Sequence, residues 1–286
     1  MKKVKITEET FIEITNKKEL RGINKEIIRK IIQEHKKQNE TTHKKLEQNN
    51  YNKKSKEYLT LKKYVRKRLR ELHGVFQKNK LSPKKQEDLL KNKDFNFHSE
   101  KTQKFLKSHR STKERLNNYE TLYTELEKEK PITTLADLGC GLNPLSYSLL
   151  KKLRNCFCTD INEEEINFLN KYFEKTPFKG EAQTLDLTKE ETLKIINNKT
   201  KKTTHCFLFK VLDGLESIQK NISKTIIKNI NSETIIISFS KTTISGKKIT
   251  SERKWFKKIL DEQKQQGTKI TFINLGNEEY HILNKP

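Results

Sequence analysis

Cysteine, glycine and proline are scarce in this chain: 4 Cys, 9 Gly and 5 Pro in 286 residues, with a single Met and a single Trp. Cys140, Cys156, Cys158 and Cys206 form no CxxC pair and have no second cluster, so zinc modules are excluded and no metal is expected. Cys156 and Cys158 lie two apart in a β-rich run, which turns both toward one face as buried thiols. No apolar run approaches the ~18 residues that span a bilayer. The opening MKKVKITEETFIEI breaks its apolar residues with acids, unlike a secretory leader. A cytoplasmic protein without a membrane partner is expected. The phosphate-cradling pattern GxxxxGK[ST] is also missing.

Negative charge is the other shortage. The chain has 61 Lys/Arg against 37 Asp/Glu, a formal +24. A field of that sign steers polyanions toward the protein, and phosphate contacts gain from counterion release. Residues 1–108 hold 31 basic and 14 acidic side chains, +17, whereas the rest holds 30 and 23, only +7. A coding bias toward Lys, Asn and Ile acts on both parts alike. The asymmetry therefore points to a nucleic-acid-facing N-terminal part.

That part reads as helical. Ile27, Ile28, Ile31 and Ile32 recur at helical spacing. Further on, Leu61, Tyr64, Val65, Leu69, Leu72 and Phe76 make an apolar stripe in YLTLKKYVRKRLRELHGVF. Lys62, Lys63, Arg66, Lys67, Arg68 and Arg70 lie largely off it and are the expected RNA-binding cations. Ser82-Pro83 opens another helix through Leu90.

From Pro131 the period changes. Strands are predicted at 134–139, 155–161, 181–187, 205–212, 233–240, 268–274 and 278–284, with helices at 143–153, 162–174, 189–197, 217–230 and 251–266. Alternating βαβα with nearly continuous apolar strands indicates a doubly wound, mostly parallel sheet. The short turn LGNE makes the last two strands an antiparallel hairpin. Seven strands ending in a hairpin give an α/β fold class of the Rossmann-like, class I S-adenosylmethionine (SAM) methyltransferase kind, behind an all-α RNA-binding domain. The division predicted is 1–108, a basic helical docking domain, and 109–286, the SAM-binding domain.

LADLGCGLNP ends an apolar strand in Asp-x-Gly-x-Gly. Gly139 and Gly141 let the backbone approach a ligand and adopt positive φ, while Asn143 is expected to cap a helix whose first turn holds Pro144. Ligands of open α/β sheets bind beyond the carboxyl ends of the strands. Asp137 is expected to hold the amino end of SAM there, directly or through water. Asp160, 19 residues after Gly141, is placed for the ribose hydroxyls. Asp186 and Leu187 would flank the adenine, and Phe209-Lys210-Val211-Leu212 would lie over the reacting methyl. NAD is disfavoured because Pro144 replaces the third glycine of GxGxxG.

The acceptor is narrowed by elimination. Amino-group methyltransferases carry [N/D/S]PP[Y/F/W] after strand four, where this chain has FKVLDG. A cytosine-C5 enzyme needs a nucleophilic cysteine there, and Cys206 sits early in the strand. A ring nitrogen such as guanine N7 has a free lone pair and no proton to lose, so positioning and electrostatics suffice. Another rRNA or tRNA base, adenine N1 for example, and a catalytically silent rRNA-binding assembly factor remain open at this point.

HRSTKERL (109–116), DLGCGLNPL (137–145), FLFKVLDGLE (207–216) and IISFSKTTISGK (236–247) resemble, in order, the blocks of the aminoglycoside-resistance 16S rRNA guanine-N7 methyltransferases of the Arm/Rmt type. The resemblance runs from about Tyr64 to the C terminus. It implies a helical domain docking on the 30S ribosomal subunit, a Rossmann-like SAM domain, and a guanine of the decoding site as target. By the same resemblance His109 and Arg115 join the SAM site, the arginine toward the SAM carboxylate. Asp160 and Ile161 take the ribose and adenine contacts, Asp186 and Leu187 the adenine edge. Lys210 is expected near the target base, and Lys210 and Asp186 are the expected catalytic pair. Ser111 and Glu114 also have capping-box spacing. The family's Met-Pro after the lysine is Leu212-Asp213 here, which marks a distant or intrinsic member. A monomer is expected.

Overall fold

The structure is a computed structural model that describes residues 8–17, 20, 25–69, 83–91, 96–243 and 246–286. The chain forms two compact units, Met1–Lys80 and Leu81–Pro286.

The first unit contains helices α1 (Glu8–Ile14), α2 (Lys25–Gln38), α3 (Glu40–Gln48) and α4 (Lys56–Leu69). The predicted stripes are its core. Ile28, Ile31 and Ile32 of α2 and Leu61, Val65 and Leu69 of α4 are each at most 2 % exposed. Burying an aliphatic side chain of that size stabilises by ~1.5–3 kcal/mol, which a short lysine-rich helix needs in order to stay folded. Leu72 and Phe76, the end of the predicted stripe, and Arg70 lie outside the described residues. Buried among these helices, His35 Nδ1 and His43 Nε2 are 2.9 Å apart.

In the second unit α5 (Pro83–Leu90), α6 (Glu100–Ser108), α7 (Arg110–Arg115) and α8 (Tyr119–Leu126) precede the sheet. The compact division falls at 80/81, not at 108/109 as the charge distribution predicts. The reason is packing: Leu89, Phe97, Phe105 and Leu106 share one buried cluster with Leu135, Phe207 and Tyr280 of the sheet.

The strands are β1 (Thr134–Leu138), β2 (Asn155–Asp160), β3 (Lys179–Thr184), β4 (His205–Phe209), β5 (Thr234–Ser240), β6 (Lys269–Leu275) and β7 (Glu278–Asn284). Their order is β3-β2-β1-β4-β5-β7-β6, with β7 antiparallel to both of its neighbours. The seven-stranded α/β class and the terminal hairpin are therefore as predicted. Central β4 and β5 are almost wholly buried, as continuous apolar strands covered on both faces must be, whereas edge strand β6 leaves Phe272 exposed. The chain reverses winding direction between β1 and β4, which opens a crevice at their carboxyl ends.

Local departures have local causes. The helix predicted at 143–153 is a 3-10 helix, Asn143–Leu149, and the Asn143 side chain serves the neighbouring network instead of capping. Helix α9 (Glu163–Phe173) follows β2, capped by Asn162 accepting from the Glu164 and Glu165 N–H groups. The predicted strand 181–187 ends at Thr184, so Asp186 and Leu187 sit in the following turn. The single helix predicted at 217–230 is two, α11 (Leu212–Ile218) and α12 (Ile222–Asn229), after α10 (Glu190–Thr200). Asn221 adopts φ +65° between them, with Glu216 accepting from the backbone N–H of Asn221 and Ser223. Helix α13 (Lys254–Gln265) packs beside β6.

Candidate active site

The loop after β1 is shaped by its two glycines. Gly139 (φ +78°) and Gly141 (φ +48°) both occupy the left-handed region. A Cβ at Gly139 would stand 2.7 Å from Val211 Cγ2, and one at Gly141 would stand 3.1 Å from His109 Cε1. The loop is also tied to β2: the Gly139 and Cys140 N–H groups both donate to Thr159 O at 2.8 Å. Asp160 completes the tie, accepting from Gly141 N at 2.9 Å and from Asn162 N at 3.0 Å. Ile161 follows it, half-buried.

Asp137 is fully buried at the end of β1. Its Oδ2 accepts from Tyr147 Oη at 2.5 Å and Asn143 Nδ2 at 2.8 Å. Its Oδ1 is buried without a hydrogen-bond partner among the described residues. Burial raises its pKa to about 6, against the lowering effect of the Tyr147 and Asn143 bonds. Asn143 is not a cap; its Oδ1 accepts from Arg115 Nη1 at 3.0 Å and Tyr119 Oη at 2.8 Å.

Arg115 is 2 % exposed. Its Nε and Nη2 grip Glu278 at 3.1–3.3 Å, Nη1 reaches Asn143 and Tyr119, and the guanidinium lies 4.7 Å from the Phe209 ring centroid. Every guanidinium nitrogen thus has a protein acceptor already. Glu278, the first residue of β7, also accepts from Ser238 Oγ at 2.9 Å and pairs with Lys210 Nζ at 3.0 Å. Lys210, just past β4 with φ +56°, pairs in addition with Glu114 at 2.7 Å. Glu114 is itself held by Arg110 at 2.6 Å, so the capping box predicted for Ser111 and Glu114 does not form; His109 is the N-cap residue. Arg115 and Lys210 hold the Glu278 carboxyl below the usual range, although its burial acts in the opposite direction. The His109 ring, buried against Gly141 with Nδ1 2.9 Å from Ser111 Oγ, has its pKa lowered to about 3, by burial first and then by Arg115 and Lys210.

Asp186 closes a turn by accepting from Thr188 N at 2.9 Å and Thr188 Oγ1 at 2.7 Å, and Leu187 is buried in the same apolar cluster as Leu138 and Leu208. Within this unit, Arg115, Asp137, Asn143 and Lys210 belong to one connected polar cluster, joined through Glu278, and His109 lies against the glycine loop at Gly141. Glu278 was invisible to sequence reasoning: an acid after a turn reads as a solvated hairpin residue, and its partner Arg115 is 163 positions away. Among the described residues no group of three or more His, Cys, Asp or Glu side chains is arranged to hold a metal ion.

The stripe cations of the first unit divide into two groups. Lys62 pairs with Glu13 at 2.7 Å, and Arg66 donates to the backbone oxygens of Glu13 and Ile14, which fastens α4 to α1. Lys63 and Lys67 are exposed and Arg68 is half-buried.

The family model for ribosomal RNA methyltransferases (FmrO) matches residues 38–282. The chain belongs to this family. It is 23 % identical over 180 residues to a 16S rRNA (guanine(1405)-N(7))-methyltransferase of Micromonospora echinospora, covering 62 % of this chain and 63 % of that protein. A Proteus mirabilis protein of the same name is 24 % identical over 194 residues, 64 % of each chain. The match thus spans just under two thirds of these curated relatives. Among solved structures, the 16S rRNA methylase RmtB (TM-score 0.66, 19 % identity, 97 % of this chain and 98 % of that one) shares the fold. So does RmtF in complex with S-adenosyl-L-homocysteine (TM-score 0.69, 16 % identity, 99 % and 100 %). No helix among the described residues of this rRNA methyltransferase family member is long and apolar enough to cross a membrane.

Proposed function

We propose that the protein uses S-adenosylmethionine to methylate N7 of a guanine in the decoding site of 16S rRNA, acting in the cytoplasm as a monomer on the assembled 30S subunit. The observation that carries this reading is the Asp160-tied glycine loop at the β1/β4 crevice, in a chain of the ribosomal RNA methyltransferase family. The names of the Micromonospora and Proteus relatives support guanine N7 as the acceptor, and the ligand of RmtF supports the donor.

The residues present suit SAM. Asp137 Oδ1 is a buried acceptor with no protein donor, which matches an ammonium group. Asp160, half-buried at the end of β2, offers carboxylate lone pairs to ribose hydroxyls while its backbone ties keep it in place. Arg115, behind Asn143, acts toward the SAM carboxylate through Asn143 and not as a free fork, since its nitrogens are committed. Ile161, Leu187 and the turn carboxylate of Asp186 are the adenine side. When bound, SAM supplies an electrophilic methyl group.

The acceptor nitrogen attacks with its own lone pair, so no general base is required. This agrees with a neutral His109 and with Lys210 engaged by two carboxylates, Glu114 and Glu278. Methylation leaves a positive charge on the purine. Glu114 and Glu278 offset the Lys210 cation, so the product charge meets less repulsion than a bare lysine would present. Lys63 and Lys67 are assigned to rRNA phosphates. A methylated N7 loses an acceptor and gains charge, both unfavourable to a polycationic aminoglycoside, so drug resistance follows from the modification.

The test is methylation of purified, unmodified 30S subunits with labelled SAM, mapped by primer extension after reductive cleavage. One strong stop at a decoding-site guanine is expected. Label on naked tRNA but not on 30S would overturn the substrate assignment.

A further inference from the structure

Three cationic side chains, Arg110, Arg115 and Lys210, come together on α7 and at the end of β4, and only two carboxylates, Glu114 and Glu278, stand among them. The two carboxylates are not equivalent. Glu114 is partly exposed and joins Lys210 to Arg110, whereas Glu278 is 2 % exposed and is shared by Arg115 and Lys210. One oxygen of Glu278 serves Lys210 and the other accepts from Ser238 Oγ and Arg115 Nη2.

We infer that Glu278 is a positioning residue of the methyl-transfer site: one buried carboxylate sets the Arg115 guanidinium and the Lys210 ammonium at a fixed separation. This inference deepens the reading proposed above and rests on it. Arg115 reaches through Asn143 to Asp137, on the side assigned to the donor. Lys210 is on the side assigned to the acceptor. Donor and acceptor groups must meet within a few tenths of an ångström for an in-line transfer, and a shared rigid counterion provides that registration. Three features make Glu278 suited to it. The Ser238 hydroxyl fixes its rotamer, β7 pairs Glu278 with Ser240 of β5, and the buried setting strengthens each contact. Lys210 is meanwhile held in a left-handed backbone conformation that a lysine rarely adopts, and its two carboxylate contacts compensate that strain.

The test measures two constants on folded variants of the full chain: the SAM dissociation constant by calorimetry, and the single-turnover methylation rate of 30S subunits at saturating SAM. Glu278→Gln is expected to weaken SAM binding at least 5-fold and to slow transfer at least 10-fold. Glu278→Asp, which keeps the charge, is expected to recover more than half of each loss on a logarithmic scale. In the Lys210→Met background, Glu278→Gln should slow transfer no more than 2-fold further, because its effect on the rate passes through Lys210. If removal of the carboxylate unfolds the chain, Ser238→Ala loosens Glu278 without removing its charge. It should then slow transfer 3-fold or more at an unchanged melting temperature. A Glu278→Gln protein with both constants unchanged, full additivity with Lys210→Met, or a Ser238→Ala protein identical to wild type would each overturn the inference. The calorimetric arm needs no RNA, so a chain that binds SAM but leaves 30S unmodified refutes the proposed substrate and not the Glu278–Arg115 link.

Discussion

The Asp160 carboxylate reaches from the end of β2 to the backbone of Gly141, 2.9 Å away, and so fixes the shape of the glycine loop it faces. One side chain thereby serves two purposes, a loop tie and the proposed ribose contact. Asp160→Ala removes the charge-assisted bonds to Gly141 and Asn162 together with the ribose acceptor. Losing ~2 kcal/mol of such bonding corresponds to roughly a 30-fold rise in the SAM dissociation constant. Calorimetry checks this, and an affinity within 3-fold of wild type would remove Asp160 from the donor site.

Gly139 is the position where a side chain is least tolerable. Gly139→Ala places a methyl 2.7 Å from Val211 Cγ2 on a backbone at φ +78°. The backbone strain alone costs ~1–2 kcal/mol, and the clash adds to it. Val211→Ala in the same chain should recover the steric part and leave the backbone part. Denaturant unfolding of the two single variants and the double variant separates these contributions. A double variant no more stable than Gly139→Ala would refute the contact.

How far the sequence was readable depends on the range of the interactions. The seven strands and the terminal hairpin followed from local apolar runs and their spacing, and the positive φ of Gly139 and Gly141 from the absence of a side chain. Asp160 ends β2, where the predicted second strand put it, and its tie to the loop is not legible in the sequence. Asn143 misled: it has the chemistry of a helix cap, but Arg115, Tyr119 and Asp137 use all of its side chain. The break at Asn221 carries neither glycine nor proline, so nothing local announced it. Glu278 was out of reach for the same reason on a larger scale, because burial of an acid at a hairpin start depends on cations from α7 and β4.

Asp137 predicts a pH dependence of known sign. Its pKa is about 6 in the fold and near 3.8 unfolded, so the native state binds the extra proton between those values. Asp137 therefore contributes most stability below about pH 4, and that contribution disappears as pH rises through 6. At neutral pH the ionised, buried carboxylate costs on the order of 3 kcal/mol. His43, His109 and His205 act oppositely: burial lowers each pKa, and the stability they contribute declines as pH falls below 6.5. Comparison with Asp137→Asn cancels those histidines. The variant should melt higher than wild type at pH 7.5, the gap should close toward pH 4.5, and SAM affinity should fall. Parallel melting curves across that range would show that Asp137 is not the titrating group.

The basic helix α4 predicts different outcomes for neighbouring lysines. Lys62 is paired with Glu13 and only 19 % exposed at its side chain, so Lys62→Met should act chiefly on the stability of the first unit. Lys63 and Lys67 are exposed on α4, so Lys63→Glu with Lys67→Glu should weaken 30S binding. If each lysine neutralises one phosphate, the slope of log affinity against log salt should become shallower by about 1 per lysine replaced. Loss on the order of 10-fold at physiological salt is expected, shrinking as salt rises and the competing counterions take over. Fluorescence-based binding to intact 30S subunits across a salt series measures both quantities. A double variant with the wild-type slope would mean that this face of α4 does not meet rRNA, whatever its charge.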